Sequence, residues 1–129
     1  MNVLPRWINQ AVSDFAAAAG FGGILFNGSA AAFRFENGVT LRIEHSGRAL
    51  AMALDAPSPE TPDAARAILA AADPFRSPHF PVRAGMLSDP PRAVLAAVME
   101  PADISPGELD RTFRTLWSLM ENLRRRIER

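Results

Sequence analysis

The sequence predicts an α+β domain, with a twisted antiparallel sheet packed against helices in the element order α-β-β-β-α-β-β-α. Three observations predict it. Apolar residues recur at three- and four-residue spacing at both ends of the chain, marking long amphipathic helices. Glycine-bearing turn pairs, Asn27-Gly28, Asn37-Gly38 and Ser46-Gly47, follow at nearly even spacing and separate alternating segments. Prolines then fall where strand character gives way to helix, at 57 to 62 and 101 to 106.

The first helix, residues 4 to 19, carries Leu4, Ile8, Ala11, Val12, Phe15 and Ala19 on one stripe, with Gly20 as its C-cap. Trp7 stands at the edge of that stripe, so it reads either as a hydrophobe packed on the sheet or as an exposed aromatic that anchors a partner. Ser29 to Glu36 alternates Ala31, Phe33 and Phe35 against Ala30, Ala32, Arg34 and Glu36. Val39 to His45 alternates Val39, Leu41 and Ile43 against Thr40, Arg42 and Glu44, the pattern of a half-buried strand. Arg48 to Asp55 sets Leu50, Met52 and Leu54 on one face and Ala49, Ala51 and Ala53 on the other. The segment Ala56-Pro57-Ser58-Pro59 is expected to leave the ladder, because proline has no amide donor.

Thr61-Pro62-Asp63 is a cap with proline in the first helical turn, and it opens a second, alanine-rich helix over about 62 to 73. Ile68 and Leu69 are its large side chains. A strand is expected over 80 to 88, a turn at Asp89-Pro90-Pro91, and a further strand over 92 to 100 that is apolar on both faces and so calls for cover on both. Ser105-Pro106-Gly107-Glu108 is a capping box. The helix it opens carries Leu109, Phe113, Leu116, Trp117, Met120, Leu123 and Ile127, with Trp117 expected in the core and Arg124-Arg125-Arg126 favouring the dipole of the last turns.

At 129 residues and 48% hydrophobic content the chain reads as one domain, 1-129, able to bury about two thirds of its unfolded surface. Fourteen acidic residues balance fourteen basic ones, all of them arginine, so no overall field favours nucleic acid or an anionic membrane. The arginine usage beside abundant alanine fits a GC-rich genome. Cysteine is absent, which removes disulfides and thiolate chemistry, and tyrosine is absent as well. No run of about 18 apolar residues and no basic-then-apolar leader is seen, so a soluble, unexported protein is expected.

Catalytic constellations are missing from the pattern. His45 and His79 stand in no metal-ligand spacing, the serines sit at turns or at a cap, and no nucleophile elbow occurs. Gly20-Phe21-Gly22-Gly23 lies between helix and strand and fits neither a P-loop nor a dinucleotide fingerprint. Paired carboxylates such as Glu108 and Asp110 serve a helix N-terminus. No enzyme activity, no metal and no cofactor are expected. What remains is surplus apolar surface, which points to self-association or partner binding.

The opening helix LPRWINQAVSDFAAAAGF, the hairpin block FNGSAAAFRFENGVTLRIEHSGRALAMALDAP and the closing RAVLAAVMEPADISPGELDRTFRTLWSLMENLRRRI together resemble the type III secretion chaperones of the Tir-chaperone, CesT-like, family. The resemblance covers most of the chain as a pattern of elements. It implies a homodimeric, non-enzymatic, ATP-independent cytoplasmic chaperone that binds an extended N-terminal segment of a secreted effector and keeps it soluble and secretion-competent. Such a segment would lay apolar side chains in grooves and could add a strand to a sheet edge. Carried over by position, Leu4, Trp7, Ile8, Ala11, Ala32 and Arg34 would meet the effector. Ala65, Ile68, Leu69, Val94, Ala96 and Val98 would form the dimer surface. Two departures stand out. The family is commonly acidic whereas this chain is neutral, so a bound segment need not be basic, and the linker after the second helix is unusually rich in proline. The YbjN-like family has the same topology without a tie to secretion, and a regulatory or protein-binding role of that kind is the alternative.

Overall fold

The structure is a computed structural model and describes residues 6–21, 30–46, 49–74 and 80–127. Leu4, the Asn27-Gly28 pair, Gly47 and His79 lie outside the described residues. The elements run α1 (Arg6–Ala19), β1 (Ala30–Arg34), β2 (Thr40–Ser46), β3 (Ala49–Pro57), α2 (Pro62–Ala71), β4 (Arg83–Leu87), β5 (Arg92–Met99), a short 3₁₀ turn at Pro101–Asp103 and α3 (Pro106–Ile127). This is the predicted α-β-β-β-α-β-β-α order.

The five strands form one antiparallel sheet in the order β1-β2-β3-β5-β4, so β1 and β4 are its edges among the described residues. Strand alternation divides the sheet into two faces. Ala31, Leu41, Ile43, Leu50, Met52, Leu54, Leu95, Ala97 and Met99 are buried on the face that meets the helices. There α3 supplies Leu109, Leu116, Met120 and Leu123, α1 supplies Ile8, Val12 and Phe15, and α2 supplies Ile68 and Ala71. The cross-strand trio Leu41, Leu54 and Leu95 sits at the centre of this layer, each at most 1% exposed. Truncating any of the three to alanine would cost about 2–5 kcal/mol.

Local chemistry fixes the ends of the elements. The Thr61 hydroxyl accepts from the Ala64 amide at 3.1 Å, with Pro62 in the first turn of α2. The Ser105 hydroxyl accepts from the Glu108 amide at 3.1 Å to start α3, while the Glu108 carboxylate turns to Arg111 at 3.7 Å. Gly38 closes the β1–β2 turn at φ +89°, where a side chain would be strained, and the Asn37 side chain accepts from the Val39 amide at 3.1 Å. The same turn is tied to α3, because Arg124 donates to the Asn37 carbonyl at 3.0 Å.

One boundary departs from expectation. β3 runs on through Ala56 and Pro57, which stay in register with Ala93 and Arg92 of β5. Its other neighbour, β2, begins only at Thr40, opposite Asp55. Pro57 therefore faces no β2 partner that needs its missing donor.

The opposite sheet face carries Ala32, Arg34, Arg42, Glu44, Ala51, Ala53, Asp55, Val94, Ala96 and Val98, and none of the described helices packs on it. Val98 is 43% exposed. The second apolar side of β5, which called for cover, is thus left open by the described residues of this chain.

Candidate protein-binding site

Six aromatic rings gather where the end of α1, the edge strand β1 and the middle of α3 meet. Phe21 follows Gly20, whose φ of +82° turns the chain off the helix, and the Phe21 amide is held by the Ala16 carbonyl at 2.9 Å. Its ring lies 5.7 Å from Phe15, 5.1 Å from Phe33, 5.3 Å from Phe35 and 5.1 Å from Phe113. Phe35 in turn lies 4.8 Å from Trp117. Most of these contacts are edge-to-face, the geometry that aromatic quadrupoles favour.

The cluster is buried at one end and open at the other. Phe15 is 1% exposed, whereas Phe21, Phe33, Phe35, Phe113 and Trp117 are only partly covered. Phe21, Phe35, Phe113 and Trp117 floor a shallow open groove of about 340 Å³, rimmed by Arg114, Ser118 and Glu121. Trp117 donates its indole N–H to Glu121 at 2.7 Å, which fixes the ring at the groove wall. The expectation that Trp117 is a core residue is corrected here: it is half-buried and lines the open groove. Phe21, Phe35 and Phe113 are functional candidates that no local sequence pattern singles out. Phe33 and Phe35 stand two apart while Phe113 and Trp117 stand four apart on a helix, and only the long-range ring contacts of Phe35 and Phe21 with α3 join them.

Of the residues expected to meet a partner, Trp7 is 51% exposed, and Ala32 and Arg34 are exposed on the uncovered face of β1. Ile8 and Ala11 are 1% and 8% exposed and belong to the core, since the inner stripe of α1 rests on α3. They offer no surface to a partner. Trp7 lies at the opposite end of α1 from Phe21, about 20 Å away along the helix, so it is outside the aromatic groove.

The residues expected at a twin interface divide. Ala65 and Leu69 are exposed on α2, Leu69 by 67%, while Ile68 is 2% exposed and points into the core. Val94, Ala96 and Val98 lie on the uncovered face of the sheet, the opposite side from α2. The two groups do not share one face.

The polar centre of the uncovered face is Asp55, whose side chain is 1% exposed. Arg42 reaches it from β2 at 2.8 Å and Arg92 pairs with it from β5. Arg92 also donates to the Gly38 carbonyl at 2.9 Å and to the Asp55 carbonyl at 3.2 Å. No group of three or more metal-ligating side chains occurs among the described residues, and no described helix is long and apolar enough to cross a membrane.

No family model matches the chain, and no curated protein matches it by sequence. The fold, by contrast, is that of the type III secretion chaperones. The ExsC–ExsE complex matches with a TM-score of 0.79 and 15% identity, covering 98% of this chain and 97% of that one. The HopA1–SchA chaperone–effector complex matches with a TM-score of 0.73 and 14% identity over 95% and 99% of the two chains. The type III secretion chaperone SycH of Yersinia pestis, solved with a fragment of YscM2, matches with a TM-score of 0.65 and 18% identity over 90% and 96%. YbjN from E. coli shares the fold as well, with a TM-score of 0.59 and 13% identity over 95% and 91%.

Proposed function

We propose that this chain is a non-enzymatic cytoplasmic chaperone that holds an extended N-terminal segment of a type III secretion effector and keeps it soluble and competent for export. The observation that carries the reading is the aromatic groove beside an edge strand. β1 has a free edge among the described residues, and Phe35, which continues it, floors the groove together with Phe21, Phe113 and Trp117. An extended segment that pairs with β1 gains main-chain hydrogen bonds along the edge, while every second side chain points toward the helix layer and its groove. Rigid aromatic walls favour such anchoring because little side-chain entropy is lost. The match to the HopA1–SchA chaperone–effector complex supports the same reading.

Self-association belongs to this reading too. We place the second copy on α2, where Ala65 and the 67%-exposed Leu69 offer a smooth apolar side. The role needs neither cofactor nor metal.

The test is site-specific crosslinking. A photoreactive residue at Ser118, on the groove rim, is expected to trap one larger protein near its N-terminus in the host cell. Trp117→Gln is expected to abolish that product. A crosslinked partner that is undiminished in Trp117→Gln, or one trapped through its folded domain, would overturn the assignment and favour a YbjN-like role unconnected with secretion.

A further inference from the structure

The two sides of the β1 edge differ in chemistry, and the difference reaches any strand that pairs there. Toward the helices β1 presents Ala31 and Phe33, followed by Phe35 at the groove. On the uncovered side it presents Ala30, Ala32 and Arg34. Arg34 is exposed and forms no ion pair or hydrogen bond among the described residues. Its cross-strand neighbour is Thr40, which has no charge to neutralise it. The next arginine inward, Arg42, lies opposite Ala32 but turns away from the edge to Asp55 on β3.

Arg34 is therefore the one uncommitted charge that β1 itself presents on this side. The chain carries a formal net charge of zero, so no global field sets a preference for a bound segment's charge. Any such preference at this edge is local.

We infer that the segment bound along β1 alternates apolar and acidic residues, with the apolar side chains toward the aromatic groove and a carboxylate opposite Arg34. This rests on the strand-addition reading above and specifies its client. Directly opposed residues on neighbouring antiparallel strands have their Cβ atoms about 5 Å apart, close enough for an arginine–carboxylate pair. A lysine in the same place meets Arg34 head-on. Glu44, which faces Ala30 at the other end of β1, repels a second carboxylate there. Glu36, exposed in the turn two residues past Arg34, repels a carboxylate beyond the near end, so the acidic position is confined to the residue opposite Arg34.

The test uses three short synthetic peptides labelled with fluorescein. Each has phenylalanine or leucine at alternate positions, and the intervening position near the middle is Glu, Gln or Lys. Anisotropy on the intact protein is expected to rank them Glu, then Gln, then Lys, with steps of about three-fold in affinity, the size of a cross-strand ion pair or its repulsive counterpart. The Glu preference shrinks at high salt because the pair is exposed. Arg34→Glu reverses the order, and Arg34→Gln removes it, with the circular dichroism spectrum unchanged in both.

Equal affinity for the Glu and Lys peptides, or an order that survives Arg34→Glu, overturns the acidic-client inference and leaves strand addition standing. Failure of all three peptides to bind removes strand addition and this inference together. Loss of dimer mass in Arg34→Glu would assign the face to a second copy and also overturns the inference.

Discussion

Arg42 and Asp55 form an ion pair at 2.8 Å across β2 and β3 in which the acid is buried, at 1% exposure, and the base is 48% exposed. Arg92, at 15% exposure, holds the other carboxylate oxygen from β5. One carboxylate thus links the three central strands on a face that no described helix covers. The two arginines roof it, their aliphatic stems standing in for missing cover.

The asymmetry between the two arginines sets the first prediction. Asp55→Ala leaves the largely buried Arg92 uncompensated and is expected to cost about 3–5 kcal/mol. Arg92→Ala is expected to approach that cost, while Arg42→Ala costs about 1 kcal/mol or less because its head is in water. Urea denaturation of the three variants checks the ranking.

His45 gives the second. It is 6% exposed on the core face of β2, opposite Leu50, and among the described residues neither ring nitrogen has a hydrogen-bond partner. A buried polar ring without partners is a desolvation cost, so His45→Leu is expected to stabilise the domain by about 1 kcal/mol. A raised melting temperature supports this, and a lowered one would mean that the ring makes a polar contact that leucine cannot replace.

The third separates binding from folding. Trp117 is half-buried at the groove wall and bonded to Glu121 on its own helix. Trp117→Gln is expected to weaken client binding by ten-fold or more, the scale of an aromatic hot spot, with a stability loss of about 1–2 kcal/mol. Leu116→Ala, one residue away and 0% exposed, should do the reverse and lose about 2–5 kcal/mol of stability. Melting curves and client titrations on both variants distinguish the two roles.

A fourth concerns the second copy. The exposed side of α2 and the outer side of β5 lie on opposite faces of the sheet, so a charge on each tests them independently. Light scattering on the unaltered protein is expected to give twice the 14.0 kDa of one chain. Leu69→Asp is expected to return it to 14.0 kDa, and Val98→Asp to leave the dimer intact. The opposite pair of results would move the interface to the uncovered sheet face.

Much of the fold is legible in local pattern. The alternation in Val39 to His45 and the cap at Thr61-Pro62 each state a strand or a helix start without reference to anything distant. What was not legible depends on partners far along the chain. Pro57 stays in a strand because β2 has already ended beside it, a fact of register and not of residue type. Trp117 keeps the apolar spacing of a core residue, yet the layer under it stops at the edge strand, so it lines a groove instead. Asp55 reads in sequence as the end of a strand, because Arg92, its closest partner, lies 37 residues away. Ile8 and Ala11 were expected at the contact surface, but their stripe is the side that α1 must bury.

Hydrogen exchange on the chaperone–client complex recovered from the host tests the central claim most directly. The account predicts slowed exchange confined to the amides of Ala30–Phe35, along the β1 edge, and to residues 113–121 of α3, behind the groove. Protection that spares both segments and falls on Val94–Val98 or on the exposed side of α2 would contradict it.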